Sequence, residues 1–157
     1  ISPLEYFLGQ LFSNALQTFP AVAATVAALH LIGILQVANP SLFAVGLLLG
    51  WYISTAVGYA LALALSARDY NTVVIISNVV SFILVFLAPI YYPPAILPET
   101  ARLATLTLPS IHVANIIGAA SNVDYGVNTA HSLAYLAVLS TALTLAITKK
   151  MKLKDLY

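Results

Sequence analysis

The chain has 157 residues, 61% hydrophobic and only 7% charged, with a mean hydropathy of +0.97 and a net charge of +1. A soluble domain is roughly 45–50% apolar and about 25% charged, so this chain has too little charge to cover a water-facing surface. The near-zero net charge excludes a basic nucleic-acid face, and the absence of cysteine excludes disulfides, thiolate metal sites and cysteine catalysis.

The first residue is Ile1, and no basic segment precedes an apolar stretch, which points to further chain upstream rather than to a signal peptide. Ser2-Pro3-Leu4-Glu5 reads as a helix start, with Ser as cap, Pro at the first position and an acid in the first turn. From Tyr6 to Ala67 no residue is formally charged, enough for two crossings of about 20 residues each. Asn39-Pro40-Ser41 is a turn signal at which a helix should stop, giving spans over 16–37 and 42–65. Pro20 then falls in the first turns of the first span, where its missing N–H costs little. Arg68-Asp69 marks a polar loop, and a third span over 72–88 ends at Pro89, Pro93, Pro94 and Pro98. The last span covers 127–148 and runs into Lys149, Lys150, Lys152 and Lys154.

Within 95–121, the stretch 103–121 is long enough to span but is interrupted near its middle by Pro109, Ser110, His112 and Asn115. The positive-inside rule wants Arg68 and the terminal lysines on one face, which needs two crossings between them rather than three. The segment is therefore expected to enter the outer leaflet as a pair of short helices and return, packed against protein. Leu97-Pro98-Glu99 opens the first of these and Pro109 the second, with Leu103, Leu106 and Leu108 on the apolar side. The fold class is all-α: one transmembrane domain over 1–157, a helix bundle of four spans with a re-entrant hairpin before the last, both ends cytoplasmic. Tyr91, Tyr92 and Tyr125 at the outer boundary and Tyr6 and Tyr70 at the inner one agree with interfacial aromatic belts.

Few residues carry chemistry. Gly46, Gly50, Ser54 and Gly58, continued by Ala62 and Ser66, form a small-residue face on the second span that suits helix packing within the chain or a subunit interface. Asn78 and Ser81 share a face of the third span and suit interhelical hydrogen bonds or the lining of a pathway. His30 is read as a packing histidine, since no acid lies within the spans to make it a proton relay. No G-x-S-x-G, H-E-x-x-H or P-loop occurs, and His30, His112 and His131 are too scattered for a metal, so no catalytic or metal residues are assigned. A membrane enzyme would need His112, Asn115 and Asp124 to converge near the outer interface.

Pro89, Tyr92, Pro94, Leu97 and Pro98, followed by Pro109 and a final span, resemble the type-2 family of ABC exporter permeases. Ser2-Pro3 followed by Gly9 is similar to the family's entry into the third of six spans, so the resemblance covers essentially the whole chain as the last four spans. Gly118-Ala119-Ala120 departs from the pattern where many members carry Arg. The resemblance implies that Ser2, Pro3, Leu4, Glu5 and Tyr6, within a cytoplasmic coupling region over 1–13, contact an ATP-binding cassette subunit. It implies a homo- or heterodimer of permeases in membrane lipid, with ATP and Mg²⁺ held by the partner and no cofactor in this chain. It makes Pro89, Tyr92, Pro94, Leu97, Pro98 and Pro109 part of a re-entrant gate. The expected function is outward transport driven by the partner ATPase, the alternative being an ATPase-independent transporter or channel.

Overall fold

The computed structural model describes residues 3–65, 70–84 and 94–154. The described residues are helical without strands: α1 (Pro3–Leu31), α2 (Pro40–Leu65), α3 (Tyr70–Phe82), α4 (Glu99–Thr105), α5 (Pro109–Ala120) and α6 (Thr129–Lys154), with a short 3-10 turn over Pro94–Ile96 before α4. Helices α1, α2 and α6 are long and apolar enough to cross a membrane, and α4 with α5 would make a fourth such unit but is bent by 90°. The chain thus has the helices of a multi-pass membrane protein.

Helix α1 differs from expectation at both ends. It begins at Pro3 with Glu5 in its first turn and continues to Leu31 without a break. Residues 3–13 of the expected coupling region belong to this helix, which continues into the first span. The reason is burial: Phe7 and Leu11 pack with Ala56 of α2 and Ile147 of α6 in one core cluster, and Phe7 lies 5.3 Å from the ring of Tyr59. Pro20 is consequently in mid-helix, where it removes one backbone hydrogen bond, and not in a first turn.

The C-terminus of α1 falls at Leu31, six residues before the expected end at 37. Gly33 takes a positive φ of 75°, its N–H donates to the His30 carbonyl at 3.0 Å, and Ile34 N–H donates to the Leu29 carbonyl at 3.0 Å. This paired closure is the Schellman stop, for which a glycine at the left-handed position is the usual choice. His30, expected to pack, is exposed, and its Nδ1 lies 3.0 Å from the Leu35 carbonyl in the turn that ends α1. Asn39-Pro40 does not stop α1 but starts α2: the Asn39 side chain accepts from Leu42 N–H at 3.0 Å, with Pro40 in the first helical position.

Helix α3 covers the expected third span as far as Phe82, a π-helical turn carries it to 84, and the remainder to 88 lies outside the described residues. Helix α6 opens with Asn128, whose side chain accepts from Ala130 and His131 N–H at 2.9 and 3.2 Å. It continues to Lys154, beyond the expected 148, because the lysine run remains a good helix former.

Candidate functional site

Pro109 decides the local structure of the bent pair. It has no N–H to offer the Thr105 carbonyl, so α4 closes with Leu108 N–H donating to that carbonyl at 3.0 Å, and α5 restarts with Pro109 at its first position. The carbonyls of Leu106 and Thr107 are left at the corner without helical partners. His112 Nε2 lies 2.9 Å from the Leu106 carbonyl, and Tyr135 O–H donates to the Thr107 carbonyl at 2.6 Å. In an apolar setting each orphan carbonyl would be costly, and these two side chains supply the donors that the break in the helix withholds.

The first contact fixes a chain of hydrogen bonds. A carbonyl only accepts, so His112 carries its proton on Nε2 and its Nδ1 is an acceptor. Ser132 O–H donates to that Nδ1 at 3.0 Å, and Ser132 Oγ in turn accepts from Asn115 Nδ2 at 3.0 Å. His112, Ser132 and Asn115 are almost completely buried between α5 and α6. Tyr135 stacks on the His112 ring at 4.1 Å, and His131 stands 5.7 Å away.

On its other side α5 meets α2. A Cβ on Gly46 would lie 2.9 Å from Ile117 Cγ1, and one on Gly50 would lie 2.8 Å from Val113 Cγ1. Those two glycines are what allow α5 so close, which places the upper half of the small-residue face in packing within the chain. Gly58 has nothing within 4 Å of such a Cβ, and it borders a small cleft with Ser54, Gln10 and Asn14.

Between α1, α2 and α5 lies an apolar cavity of about 1040 Å³, bordered among others by Phe19, Val22, Leu47, Trp51, Val113 and Ile117. Its polar side is Asn14, whose Oδ1 accepts from Trp51 Nε1 at 2.8 Å and Thr18 Oγ1 at 3.2 Å; Thr55 Oγ1 lies 3.2 Å away and donates to the Trp51 carbonyl at 2.9 Å. A mostly apolar cavity with a few converging polar groups is the usual form of a small-molecule site.

The sequence-selected residues divide accordingly. Pro94 opens the 3-10 turn, where Leu97 N–H donates back to its carbonyl at 3.1 Å; Pro98 precedes α4 and Pro109 starts α5. Pro89 and Tyr92 lie outside the described residues. Leu103, expected on the apolar side of α4, is exposed. Ser2 is also outside the described residues, Pro3 and Leu4 lie in the first turn of α1, and Glu5 and Tyr6 are exposed there. Asn78 and Ser81 are exposed on α3 and do not border the cavity. Asp124 does not join His112 and Asn115: its side chain accepts from Gly126 N–H at 2.7 Å in the loop before α6. The third member of that cluster is Ser132. His112 and Asn115, three apart, share one face of α5, whereas nothing local marks Ser132. Asn14 was missed too, although Asn14 with Thr18 and Trp51 with Thr55 each have the four-residue spacing of a shared helix face.

No family model, curated protein or solved structure matches the chain.

Proposed function

We propose that this chain is the permease part of an ATP-driven exporter, its last four spans, with both ends of the segment cytoplasmic. The observation that supports this most is the 90° bend between two short apolar helices placed just before the last long helix. In the resembled family that position holds a re-entrant pair, and a corner with prolines at 98 and 109 is what the shared pattern requires. In this reading α4 and α5 form the outer gate, and α1, α2, α3 and α6 are the spans. Helix α1, at 29 residues and about 43 Å, exceeds a hydrocarbon core of about 30 Å, so its Glu5–Tyr6 end reaches into the cytoplasm. There it contacts the ATP-binding cassette subunit, which holds ATP and Mg²⁺. Two permeases pair around the pathway, and closure of the ATPase pair rocks the spans.

The test is co-purification with an ATP-binding partner, followed by Glu5→Ala and Tyr6→Ala. Both variants should remain in the membrane while partner binding and stimulated ATPase activity fall. Undiminished binding and activity would sink the coupling assignment. Transport in vesicles without nucleotide would move the reading to an ATPase-independent transporter or channel. For topology, a cysteine at Thr100 should react with an impermeant reagent from outside, and labelling only from inside would overturn the re-entrant arrangement.

A further inference from the structure

Helices α4 and α5 behave differently in the fold although they form one bent unit. Helix α5 buries Ile111, His112, Asn115, Ile116, Gly118 and Ala120, whereas α4 buries only Thr105. Ser110 Oγ donates to the Leu84 carbonyl at 2.6 Å, and the Ala120 carbonyl accepts from Ala38 and Asn39 N–H at 2.9 Å each, so α5 is tied at both ends. Straightened, the 7 residues of α4, the corner and the 12 of α5 would run to about 30 Å, long enough to cross a bilayer. The corner therefore decides whether this segment returns or crosses.

We infer that residues 106–108 are a hinge held bent by a two-point clasp, His112 Nε2–H on the Leu106 carbonyl and Tyr135 O–H on the Thr107 carbonyl, with α4 as the moving lid and α5 as its fixed base. Three features meet here. Pro109 breaks the backbone ladder at this corner and leaves those two carbonyls needing outside donors. The donors come from α5 and α6, not from α4 itself. The His112 ring is set by Ser132, which is set by Asn115, so its donor nitrogen is aimed by a buried hydrogen-bonded network. Among the described residues, these two side chains are what fix the corner's carbonyls to the bundle. Only its consequence for transport rests on reading the pair as a gate; the clasp is measurable with no transport, nucleotide or partner present.

The sequence has no cysteine, so spin labels can be placed by single substitutions without background. Thr100→Cys on α4 and Val138→Cys on α6 are both exposed positions, and a 7-residue helix swinging through 90° moves its tip by about 15 Å. The two amide replacements of His112 separate its nitrogens: Gln carries an N–H near the place of Nε2, and Asn carries one near Nδ1 only. In the membrane-embedded chain, His112→Gln should keep the parent's single distance population by pulsed electron resonance. His112→Asn should add a second, displaced population. Equal distributions in the two variants, whether both held or both released, overturn the clasp. Where His112→Asn elutes as aggregate, Tyr135→Phe decides instead: it keeps the stacked ring and loses the hydroxyl. A second population then supports the clasp, and a distribution identical to the parent's overturns it. A clasp that passes while the ATPase tests fail leaves a hinged lid in another kind of transporter.

Discussion

The two halves of the small-residue face on α2 should respond to a single methyl group with opposite sign. At Gly50 the added Cβ would sit 2.8 Å from Val113 Cγ1, where ordinary contact starts at 3.4 Å, so Val113 must retreat by roughly 0.6 Å. Valine in a helix is confined to essentially one rotamer, and the displacement passes to the α5 backbone. Overpacking of this kind costs about 1–3 kcal/mol, and replacing a mid-helix glycine returns about 0.5–1 kcal/mol of chain entropy. The net expectation for Gly50→Ala is a loss of about 1 kcal/mol, and more for Gly46→Ala, where Ile117 and Ile116 crowd the new atom at 2.9 and 3.0 Å. Gly58→Ala meets nothing within 4 Å and keeps only the entropic gain of about 0.5–1 kcal/mol. Reversible unfolding of the purified protein in mixed detergent micelles, followed by circular dichroism, resolves a gap of that size. Gly50→Ala as stable as its parent would refute the close approach of α5. A loss at Gly58, accompanied by loss of a dimer, would instead place a second chain against the lower half of the face.

The same unfolding measurement checks three further expectations. Ser132→Ala leaves both His112 Nδ1 and Asn115 Nδ2 without their buried partner and should cost about 1–3 kcal/mol, whereas Thr141→Ala, which loses only its bond to the Ala137 carbonyl on an exposed face, should change little. Asn39→Ala and Asn128→Ala each remove a helix cap and should cost about 1 kcal/mol, with Ser at either position restoring most of it. Trp51→Phe removes the 2.8 Å bond to Asn14 and should cost about 0.6 kcal/mol, the mean for interhelical bonds in membranes; Asn14→Leu, which takes the acceptor from both Trp51 and Thr18, should cost more.

The sequence made the helices legible because apolar length and proline position are local properties. Spans α2 and α6 and the two short helices fall close to where charge, Pro98 and Pro109 put them. Errors arose where one local signal had two physical meanings. Asn39-Pro40 suits a helix start as well as a stop, since asparagine caps and proline at the first position is free of penalty; the structure uses it as a start. Residues 32–37 stay apolar after α1 has ended, so hydropathy extended the span, while Gly33 carried the true stop in its φ of 75°. Gly46 and Gly50 were legible as a site of close approach, but the partner was not, because it is chosen by how α5 docks. Ser132 was invisible for the same reason. It lies 20 residues from His112 on another helix, and the register between α5 and α6 is a tertiary fact.

That register explains why so short a helix can be a fixed point in the bundle. Helix α5 has 12 residues and reaches only about 18 Å, too little to cross a core of about 30 Å, so the bilayer alone would not hold it in place. Four separate contacts do. Glycines on α2 admit its apolar side, Ser132 on α6 satisfies its two buried polar groups, the Leu84 carbonyl anchors Ser110 at its start, and the loop before α2 pairs with the Ala120 carbonyl at its end. One is close packing and the others are hydrogen bonds at separate points along the helix, so no single substitution should release it. Helix α4 has no such set among the described residues; it hangs from the corner that Pro109 opens. A segment anchored on one side of a proline and nearly unanchored on the other is built to move at that proline, and His112 and Tyr135 are placed where such motion would have to begin.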